Sequence, residues 1–400
     1  MRIAGVVAEY NPFHNGHARH LEKTREFGGG CEATHIVAVM SGSFVQRGEP
    51  AIMPKFERAK AALSGGADLV IELPTPWCLS SAENFAFGAV SLLNSLGCVE
   101  AVSFGSEAGD VAPLLRAVEI METERFTSLL KYFLSMGSAY AEAQQKALKE
   151  IAGDKVASVL STPNNTLGIE YIKALRKLNS QMQPFTVERM GTAHDSMAPL
   201  GDMASATYLR KLITSERLIN ALPYMPQACS AVVSEAALKQ RIPADATLLE
   251  RAVLSRLRTL TTEQLQTVAG VTEGLENRVY NAVRNAKTLT QLEEAIKTKR
   301  YPLTRVRRLI WCAYLGITKD DVAQPIPYAR VLAANERGKE ILSAAKPTVP
   351  LLNRAAQVAK LSDECQALWE KETRITDLYG MAFDVPLPCG EDHTTGLIRE

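Results

Sequence analysis

The first 110 residues alternate short apolar runs rich in β-branched side chains with longer amphipathic stretches, and this alternation limits the possible folds most strongly. The apolar runs have the length of buried strands, and the stretches between them have helical spacing. The predicted strands are residues 2–8, 34–40, 67–73, 99–105 and 184–190. Strands separated by helices usually pair in parallel, so the pattern predicts a doubly wound parallel α/β sheet.

The 400 residues are more than one hydrophobic core usually organises, and 46% of them are apolar, so we expect more than one domain. The α/β pattern extends over residues 1–220, with 111–160 as a helical insertion. Residues 230–320 are predicted to form a basic helical region. Residues 321–400 form a C-terminal region of unassigned role, whose last 15 residues resemble a tail.

The composition favours a cytoplasmic protein. Seven scattered cysteines without a CxxC pair argue against a disulfide framework or a cysteine zinc site. No apolar stretch approaches the roughly 20 residues of a membrane helix, and the apolar N-terminal run is too short for a signal sequence. We therefore expect no membrane partner.

Three of the six histidines, His14, His17 and His20, follow the first predicted strand at three-residue intervals. Two of them flank Gly16 where a helix is predicted to begin. Helix N-termini favour phosphate through their unpaired N–H groups and partial positive charge, and imidazoles add further donors. Zinc is the weaker alternative, because an Asn-Gly turn separates the first pair where zinc motifs use one regular helical turn. His20 alone also fits an ordinary residue on a helix face.

A second anion site is predicted in MASATYLRKLI, residues 203–213, where Ser205, Thr207 and Arg210 lie at or near the start of a helix. Hydroxyls at a helix start with an arginine one turn later suit the β- and γ-phosphates of a nucleotide. An ordinary helix cap with a surface arginine is the alternative.

The HxGH pattern resembles the signature of the nucleotidyltransferase superfamily. Longer phrases resemble the bacterial tRNA(Met) cytidine acetate ligase family: EYNPFHNGH, MSGSFVQRGEPAI, GADLVIELP, FGSEAGD, PNNTLGIEY and KTKRYPLTRVRR. This resemblance runs to about residue 320. It implies a Rossmann-like nucleotidyltransferase domain followed by a mainly α-helical C-terminal region. It also implies that ATP activates acetate to acetyl-adenylate and that the acetyl group passes to N4 of the wobble cytidine of elongator tRNA(Met).

The resemblance also implies site residues. The ATP segment comprises Val7, Ala8, Glu9, Tyr10, Asn11, Pro12, Phe13, His14, Asn15, Gly16, His17, Ala18, Arg19 and His20. The adenine and ribose contacts are Gly105, Asn165 in preference to Asn164, and Arg189, and the phosphate contacts include Ser205, Thr207 and Arg210. The superfamily's ISSTxxR motif is altered here at Met203, Ala204 and Ala206. Mg²⁺ is expected to accompany the triphosphate, without a metal site of the protein's own.

The loop at residues 41–50 carries further candidates. By sequence order, Arg47 and Lys55 are placed to approach the triphosphate or the RNA, and Lys55 joins His14 and His17 as a predicted catalytic residue. Ser41 and Ser43 are candidates for an acetate pocket. Solvent-exposed loop residues are the alternative for all four.

Residues 239–311 hold 14 Lys and Arg against 7 Asp and Glu, an excess of 14 − 7 = +7. The predicted RNA-binding residues are Lys297, Lys299, Arg300, Arg305, Arg307 and Arg308. A charge run is often only a solvated face, but the excess together with Tyr301 favours RNA, and the resemblance makes it tRNA. Two rival functions stay open: a cofactor adenylyltransferase acting on pantetheine phosphate or a nicotinamide or flavin mononucleotide, and a non-catalytic RNA-binding protein that senses ATP.

Overall fold

The computed structural model of the protein describes residues 1–26, 33–188, 198–215, 217–272 and 274–399. In chain order the strands are β1 (Ile3–Ala8), β2 (His35–Ser41), β3 (Phe44–Val45), β4 (Glu49–Pro50), β5 (Leu69–Leu73), β6 (Ala101–Ser106), β7 (Gln183–Glu188), β8 (Ala329–Ala334), β9 (Leu351–Leu352) and β10 (Ile398–Arg399). The five predicted strands are confirmed as β1, β2, β5, β6 and β7. Every residue of β2 and β5 is buried, as expected for strands covered on both faces.

The main sheet has the order β10-β8-β5-β2-β1-β6-β7, with β9 also paired to β8. β1 lies between two parallel partners, so that Val6 is opposite Ala38 of β2 and Ser103 of β6. The chain builds outward from β1 through β2 and β5 and then returns to the other side of β1 with β6 and β7. Connections therefore diverge above β1 and β6, and at such a switch point a crevice opens at the carboxyl ends of the strands.

The C-terminal region is part of this sheet. β8 pairs antiparallel with β5, and β10 and β9 pair parallel with β8. Residues 321–400 are thus not a separate unit, and the interpretation of residues 386–400 as a tail is wrong, because Asp392 is buried and β10 belongs to the sheet. The alanine-rich run of β8 has little of the β-branched content on which the strand predictions depended.

The helices surround the sheet and form most of the second half of the chain. They are α1 (Asn15–Arg25), α2 (Lys55–Ser64), α3 (Thr75–Cys78), α4 (Ala82–Ser95), α5 (Ala112–Met121), α6 (Glu124–Ser135), α7 (Tyr140–Ala157, interrupted at Gly153), α8 (Pro163–Lys177), α9 (Ala206–Thr214), α10 (Leu218–Ala221), α11 (Gln227–Leu238), α12 (Glu250–Arg258), α13 (Thr262–Thr267), α14 (Leu275–Asn285), α15 (Leu289–Ile296), α16 (Leu303–Leu315), α17 (Lys319–Ala323), α18 (Glu336–Ala344), α19 (Asp363–Tyr379) and α20 (Glu391–Thr394). Short 3-10 turns cover Ser158–Ser161, Leu222–Tyr224, Ala246–Leu249, Ala355–Lys360 and Gly380–Ala382. Within the described ranges, no helix is long and apolar enough to cross a lipid bilayer.

Three apolar clusters hold these elements together. One packs α4, α8 and the helical insertion against one face of the sheet, through residues such as Leu93, Ile172 and Leu148. A second covers the other face with α1, α2, α9 and α11. The third is the core of the helical region, and it includes Phe44 of β3. The β3–β4 hairpin therefore connects the sheet to the helical region.

Candidate nucleotide-binding site

A cavity of about 280 Å³ opens at the carboxyl ends of β1, β6 and β7. Its position is the switch point of the sheet, where nucleotides bind in folds of this kind. The described residues that line it are Val7, Ala8, Glu9, Tyr10, Asn11, His14, Gly16, His17, Arg19, His20, Gln46, Arg47, Phe85, Phe104, Gly105, Asn164, Leu167, Tyr171, Val187, Glu188, Met203, Ser205, Ala206, Thr207 and Arg210. We call this space the nucleotide cavity.

The two histidines of the HxGH motif form one face of the cavity at the start of α1. His14 is the N-cap of the helix, and its ring stacks on that of His17 with centroids 3.7 Å apart and 20° between the planes. The backbone N–H of His14 donates to Nδ1 of His17 at 3.2 Å. Because Nδ1 accepts this bond, a neutral His17 carries its proton on Nε2, which makes that nitrogen a donor for phosphate oxygens.

Gly16 leaves room for the ring of His14. A Cβ atom built at this position would lie 2.9 Å from Cε1 and 3.0 Å from Nδ1 of His14. The space where a Cβ would lie is therefore needed by the His14 ring, while Gly16 itself still lines the cavity. The glycine allows the two imidazoles to stack.

Two aromatic residues of the predicted ATP segment pack against the ring of His17. Phe13 is fully buried, and its ring centroid lies 5.5 Å from that of His17, while the Tyr10 ring meets His17 edge-on at 5.0 Å. The residues of the segment outside the cavity lining are Pro12, Phe13, Asn15 and Ala18. His20 does line the cavity, and its Nε2 lies 3.1 Å from Oγ of Ser103 on β6.

The start of α9 supplies the opposite face. Ser205, Thr207 and Arg210 all line the cavity, as does Arg47 from the β3–β4 hairpin. Ser205 also caps α9 by accepting the N–H of Tyr208 at 3.0 Å. The cap and the lining position are compatible, because a hydroxyl that accepts one bond still has a proton to donate.

Three arginines line the cavity, Arg19, Arg47 and Arg210, and the last two lie beside the start of α9. Nη2 of Arg210 lies 3.0 Å from Oε1 of Glu49, and Nη1 donates to the Asn11 carbonyl at 3.0 Å. Arg47 donates to the Thr207 hydroxyl at 3.5 Å. A polyphosphate entering here would meet two guanidinium groups.

Glu9 is a half-buried carboxylate that lines the same cavity. It accepts the backbone N–H of Gln46 at 2.8 Å. Burial raises the pKa of Glu9 above its ordinary value, although the Gln46 N–H and the nearby Arg210 oppose that rise.

The third side of the cavity suits a base. Its apolar wall consists of Phe104, Leu167, Tyr171 and Val187. These residues were missed by sequence analysis, because their apolar spacing on β6, β7 and α8 is the same as that of core residues. Gly105 lies at this wall, as predicted from its place at the end of a strand. Arg189 lies outside the described residues.

The structure brings Asn164, rather than Asn165, to the cavity. Asn165 is buried, and its Oδ1 accepts the Ser106 hydroxyl at 2.8 Å and two backbone N–H groups. The preference for Asn165 as the nucleotide contact is therefore corrected, since its carbonyl oxygen fixes the loop after β6.

Lys55 does not lie in the nucleotide cavity, and its interpretation as a catalytic residue is corrected. Its side chain is 1% exposed, and Nζ lies 2.8 Å from Oε1 of Glu72 and 2.8 Å from Oδ1 of Asp392. Burial lowers the pKa of Lys55, but the Asp392 and Glu72 carboxylates outweigh burial and raise it above the ordinary value. The ammonium is thus fixed and charged inside the protein.

The predicted RNA-binding residues divide into two sets. Lys297, Lys299 and Arg300 are exposed. Nε of Arg307 lies 3.1 Å from both carboxylate oxygens of Glu293. Nη2 of Arg305 lies 3.3 Å from the Gly270 carbonyl.

Arg308 faces the β3–β4 hairpin. Its Nη1 donates to the Gln46 carbonyl at 3.1 Å, next to Arg47 in the chain, and the Trp311 indole donates to the Gly48 carbonyl at 2.9 Å. A Cβ at Gly48 would lie 2.6 Å from the backbone nitrogen of Arg308, so the hairpin and α16 are in close contact. α16 therefore holds the loop that carries Arg47.

A mostly parallel sheet with a helix-start histidine pair at its switch point is the arrangement expected of a nucleotidyl transferase. The sequence profile of the family described as HIGH Nucleotidyl Transferase matches residues 1–389.

Comparison with similar proteins identifies the family within the nucleotidyl transferases. The tRNA(Met) cytidine acetate ligases of Acetivibrio thermocellus and of a Thermoanaerobacter species are each 38% identical to this chain, with all of both chains covered. The crystal structure of Thermotoga maritima TmcAL bound with alpha-thio ATP superposes with a TM-score of 0.91 at 30% identity, again over all of both chains, and the apo form of that protein gives 0.93. The chain belongs to the tRNA(Met) cytidine acetate ligase family.

Proposed function

We propose that this protein uses ATP to activate acetate as acetyl-adenylate and then acetylates N4 of the wobble cytidine of elongator tRNA(Met). The observation that carries the proposal is the meeting of two stacked imidazoles and two guanidinium groups around the nucleotide cavity. The full-length relatives bear the name of this activity, and the Thermotoga maritima structure contains an ATP analogue. The expected place of action is the cytoplasm, where tRNA is modified.

In the first step, a carboxylate oxygen of acetate attacks the α-phosphorus of ATP, and the bond from that phosphorus to the pyrophosphate oxygen breaks. Both reactants come from solution, so no protein nucleophile is required. His14 and His17 at the positive end of α1 would stabilise the charge that is redistributed at the α-phosphate. Ser205, Thr207, Arg210 and Arg47 would bind the departing pyrophosphate, with Arg210 exchanging Glu49 for phosphate oxygens.

Mg²⁺ bound with the triphosphate needs only one or two protein carboxylates, because phosphate oxygens and water supply its remaining ligands. Glu9 and Glu188 line the nucleotide cavity, and the described residues contain no group of three or more His, Cys, Asp or Glu that could hold a metal alone. The residues present therefore fit an ion that arrives with ATP. Such an ion would neutralise charge on the phosphates.

In the second step, the N4 amine of cytidine attacks the acetyl carbon and AMP leaves. The mixed anhydride must be kept from water until the RNA arrives, which a concave site provides. The exposed cations Lys297, Lys299 and Arg300 would contact RNA phosphates. Arg305, Arg307 and Arg308 would also hold α16 against its neighbours, because each has a partner in the protein.

Of the two rivals, a cofactor adenylyltransferase leaves the basic helical region unexplained, and the relatives match over that region as well. A non-catalytic ATP sensor needs no acetate. We expect purified protein, ATP, acetate and unmodified tRNA(Met) to give acetylcytidine at the wobble position, measured by mass spectrometry of the digested RNA. Acetylcytidine that forms without ATP, or no acetylcytidine at all, would contradict the proposal.

A further inference from the structure

A second and larger cavity, of about 840 Å³, lies between the sheet domain and the helical region. Asn84 and Phe87 of α4, Lys177 at the end of α8, Arg305 and Arg308 of α16, and Lys319 of α17 contribute to its lining. We call it the basic groove. Its volume is within the range of roughly 300–1,000 Å³ that is usual for pockets that take drug-sized ligands.

The charge of the basic groove has one sign. The residues that line it in the described part of the chain include the four cations Lys177, Arg305, Arg308 and Lys319 and no carboxylate. Lys177 and Lys319 are exposed. A lining that holds several cations and no carboxylate is the electrostatic pattern of a surface that follows a phosphate backbone.

Groups that suit a base lie among these cations. The ring of Phe87 is half-buried, and the Lys177 ammonium lies 4.7 Å from its centroid. Asn84 exposes a side-chain amide at the start of α4. Aromatic faces and amides are the groups by which proteins hold the unpaired bases of RNA loops.

The basic groove and the nucleotide cavity share a wall. On α4, Phe85 lines the nucleotide cavity while Asn84 and Phe87 line the groove. Arg308 lines the groove and donates to the carbonyl of Gln46, which lines the nucleotide cavity. A strand of RNA in the groove would therefore pass close to the place where the acyl group is formed.

We propose that the basic groove binds the unpaired RNA nucleotides that flank the cytidine to be acetylated. The inference rests on the proposed function and adds the path of the substrate. A base must leave the stack before its amine can react inside a protein, so its neighbours have to be held as a single strand. The groove offers cations for their phosphates and a ring and an amide for their bases.

The first test is the salt dependence of binding, measured by fluorescence anisotropy with the labelled anticodon stem-loop of tRNA(Met). The Lys177→Ala/Lys319→Ala variant should lower the log–log slope of affinity against salt by about 1.4, at about 0.7 for each lost phosphate contact on a single strand. The Lys339→Ala/Lys360→Ala variant, with two exposed lysines outside the groove, is the matched control and should keep the wild-type slope. Arg308 is avoided because its loss would also disturb the Arg47 loop.

The second test asks which part of the protein the RNA contacts. A stem-loop with 4-thiouridine next to the target cytidine should photocrosslink to peptides from residues 77–87 or 305–325, mapped by mass spectrometry. An unchanged slope in the groove variant, or crosslinks confined to other peptides, overturns the groove assignment. Acetylcytidine formation by the wild-type chain is scored separately, so a failure of the proposed function is distinguishable from a failure of the groove. Acetate-dependent ATP–pyrophosphate exchange, which needs no RNA, verifies that each preparation has an intact nucleotide site.

Discussion

Two polar clusters lie at the carboxyl ends of strands in the same sheet, and only one of them is open. The nucleotide cavity at β1 and β6 presents the His14 and His17 rings to a space of about 280 Å³. The second cluster, which we call the sealed cluster, consists of Lys55, Glu72, Arg330, Glu372 and Asp392. Arg330 in it lies 2.8 Å from Oδ1 of Asp392 and 3.3 Å from Oε2 of Glu72.

The difference lies in where the opposing charge comes from. In the sealed cluster the chain supplies its own carboxylates, and the side chains of Lys55, Glu72, Arg330 and Asp392 are at most 6% exposed. In the nucleotide cavity much of the opposing charge would come from a ligand. A cation near a strand end therefore indicates a binding site only when the fold leaves its partner to be supplied from outside.

The largest expected effect is on the stability given by the sealed cluster. In Lys55→Met, Glu72 and Asp392 lose a cation that lies within 2.8 Å of each. Removing one partner of a buried ion pair leaves an uncompensated charge, so we expect the unfolding free energy to fall by about 3–5 kcal/mol in urea denaturation. The control is Lys60→Met on the same helix, whose pair with Glu235 is about half exposed and should contribute at most about 1 kcal/mol. Equal losses in the two variants would contradict the assignment.

The next effect is on catalysis in the nucleotide cavity. His17→Ala removes the Nε2 donor and the ring that stacks on His14. We expect acetate-dependent ATP–pyrophosphate exchange to fall by about 10²–10³-fold, the usual loss for a donor that stabilises transition-state charge, with the fold retained by circular dichroism. His393→Ala changes an exposed histidine near the sealed cluster and should exchange at the wild-type rate. Full exchange by His17→Ala would exclude the role given to this ring.

A smaller effect is expected in how the free energy of unfolding depends on pH, through Glu372 of the sealed cluster. Burial, and then the Glu72 carboxylate, raise the pKa of Glu372 to about 8. Between the ordinary carboxyl pKa and pH 8 the folded protein holds a proton that the unfolded chain has lost, so stability falls as the pH rises. We expect a loss of about 1–2 kcal/mol between pH 6 and pH 8 in the wild-type protein.

The Glu372→Gln variant has no carboxyl group at this position to titrate, so its stability should vary less over the same pH interval. Urea denaturation at several pH values measures both slopes. Parallel slopes for the wild type and the variant would show that Glu372 does not titrate here.

The smallest effect tests the stacking of the two imidazoles. In Gly16→Ala the new Cβ would lie 2.9 Å from Cε1 of His14, so the ring must turn away from its position. An off-rotamer side chain costs about 0.5–1.5 kcal/mol, which corresponds to a rise of roughly twofold to thirteenfold in the KM for ATP. Gly396→Ala, where a Cβ meets nothing within 4 Å, is the control. An unchanged KM would mean that the stacked arrangement is not needed for binding.

The first five strands of the sheet could be predicted from the sequence, because β1, β2, β5 and β6 each combine a largely buried apolar run with a helix after it; β7 is an edge strand with one buried residue. Sequence analysis also predicted the HxGH face and the Ser205–Arg210 face, where local spacing and a helix start are enough to indicate anion binding. The apolar wall of the nucleotide cavity was not predicted. Phe104, Leu167 and Tyr171 have the same spacing in the sequence whether they pack in a core or against an adenine.

The remaining errors have one physical cause, which is partners far away in the chain. Lys55 follows a promising loop, but what neutralises it includes Asp392, 337 residues later. β8 forms a strand because β5 offers an edge to it, and nothing local in its alanine-rich run requires that conformation. Asn164 and Asn165 are adjacent, and only the position of the loop after β6 decides which of them meets the cavity.

The most direct measurement of the central claim is isotope exchange between pyrophosphate and ATP in the wild-type protein, with and without acetate and without RNA. If the nucleotide cavity activates acetate by itself, exchange requires acetate, saturates with it, and proceeds without tRNA. Exchange that is independent of acetate, or its absence at saturating ATP and acetate, would contradict the account.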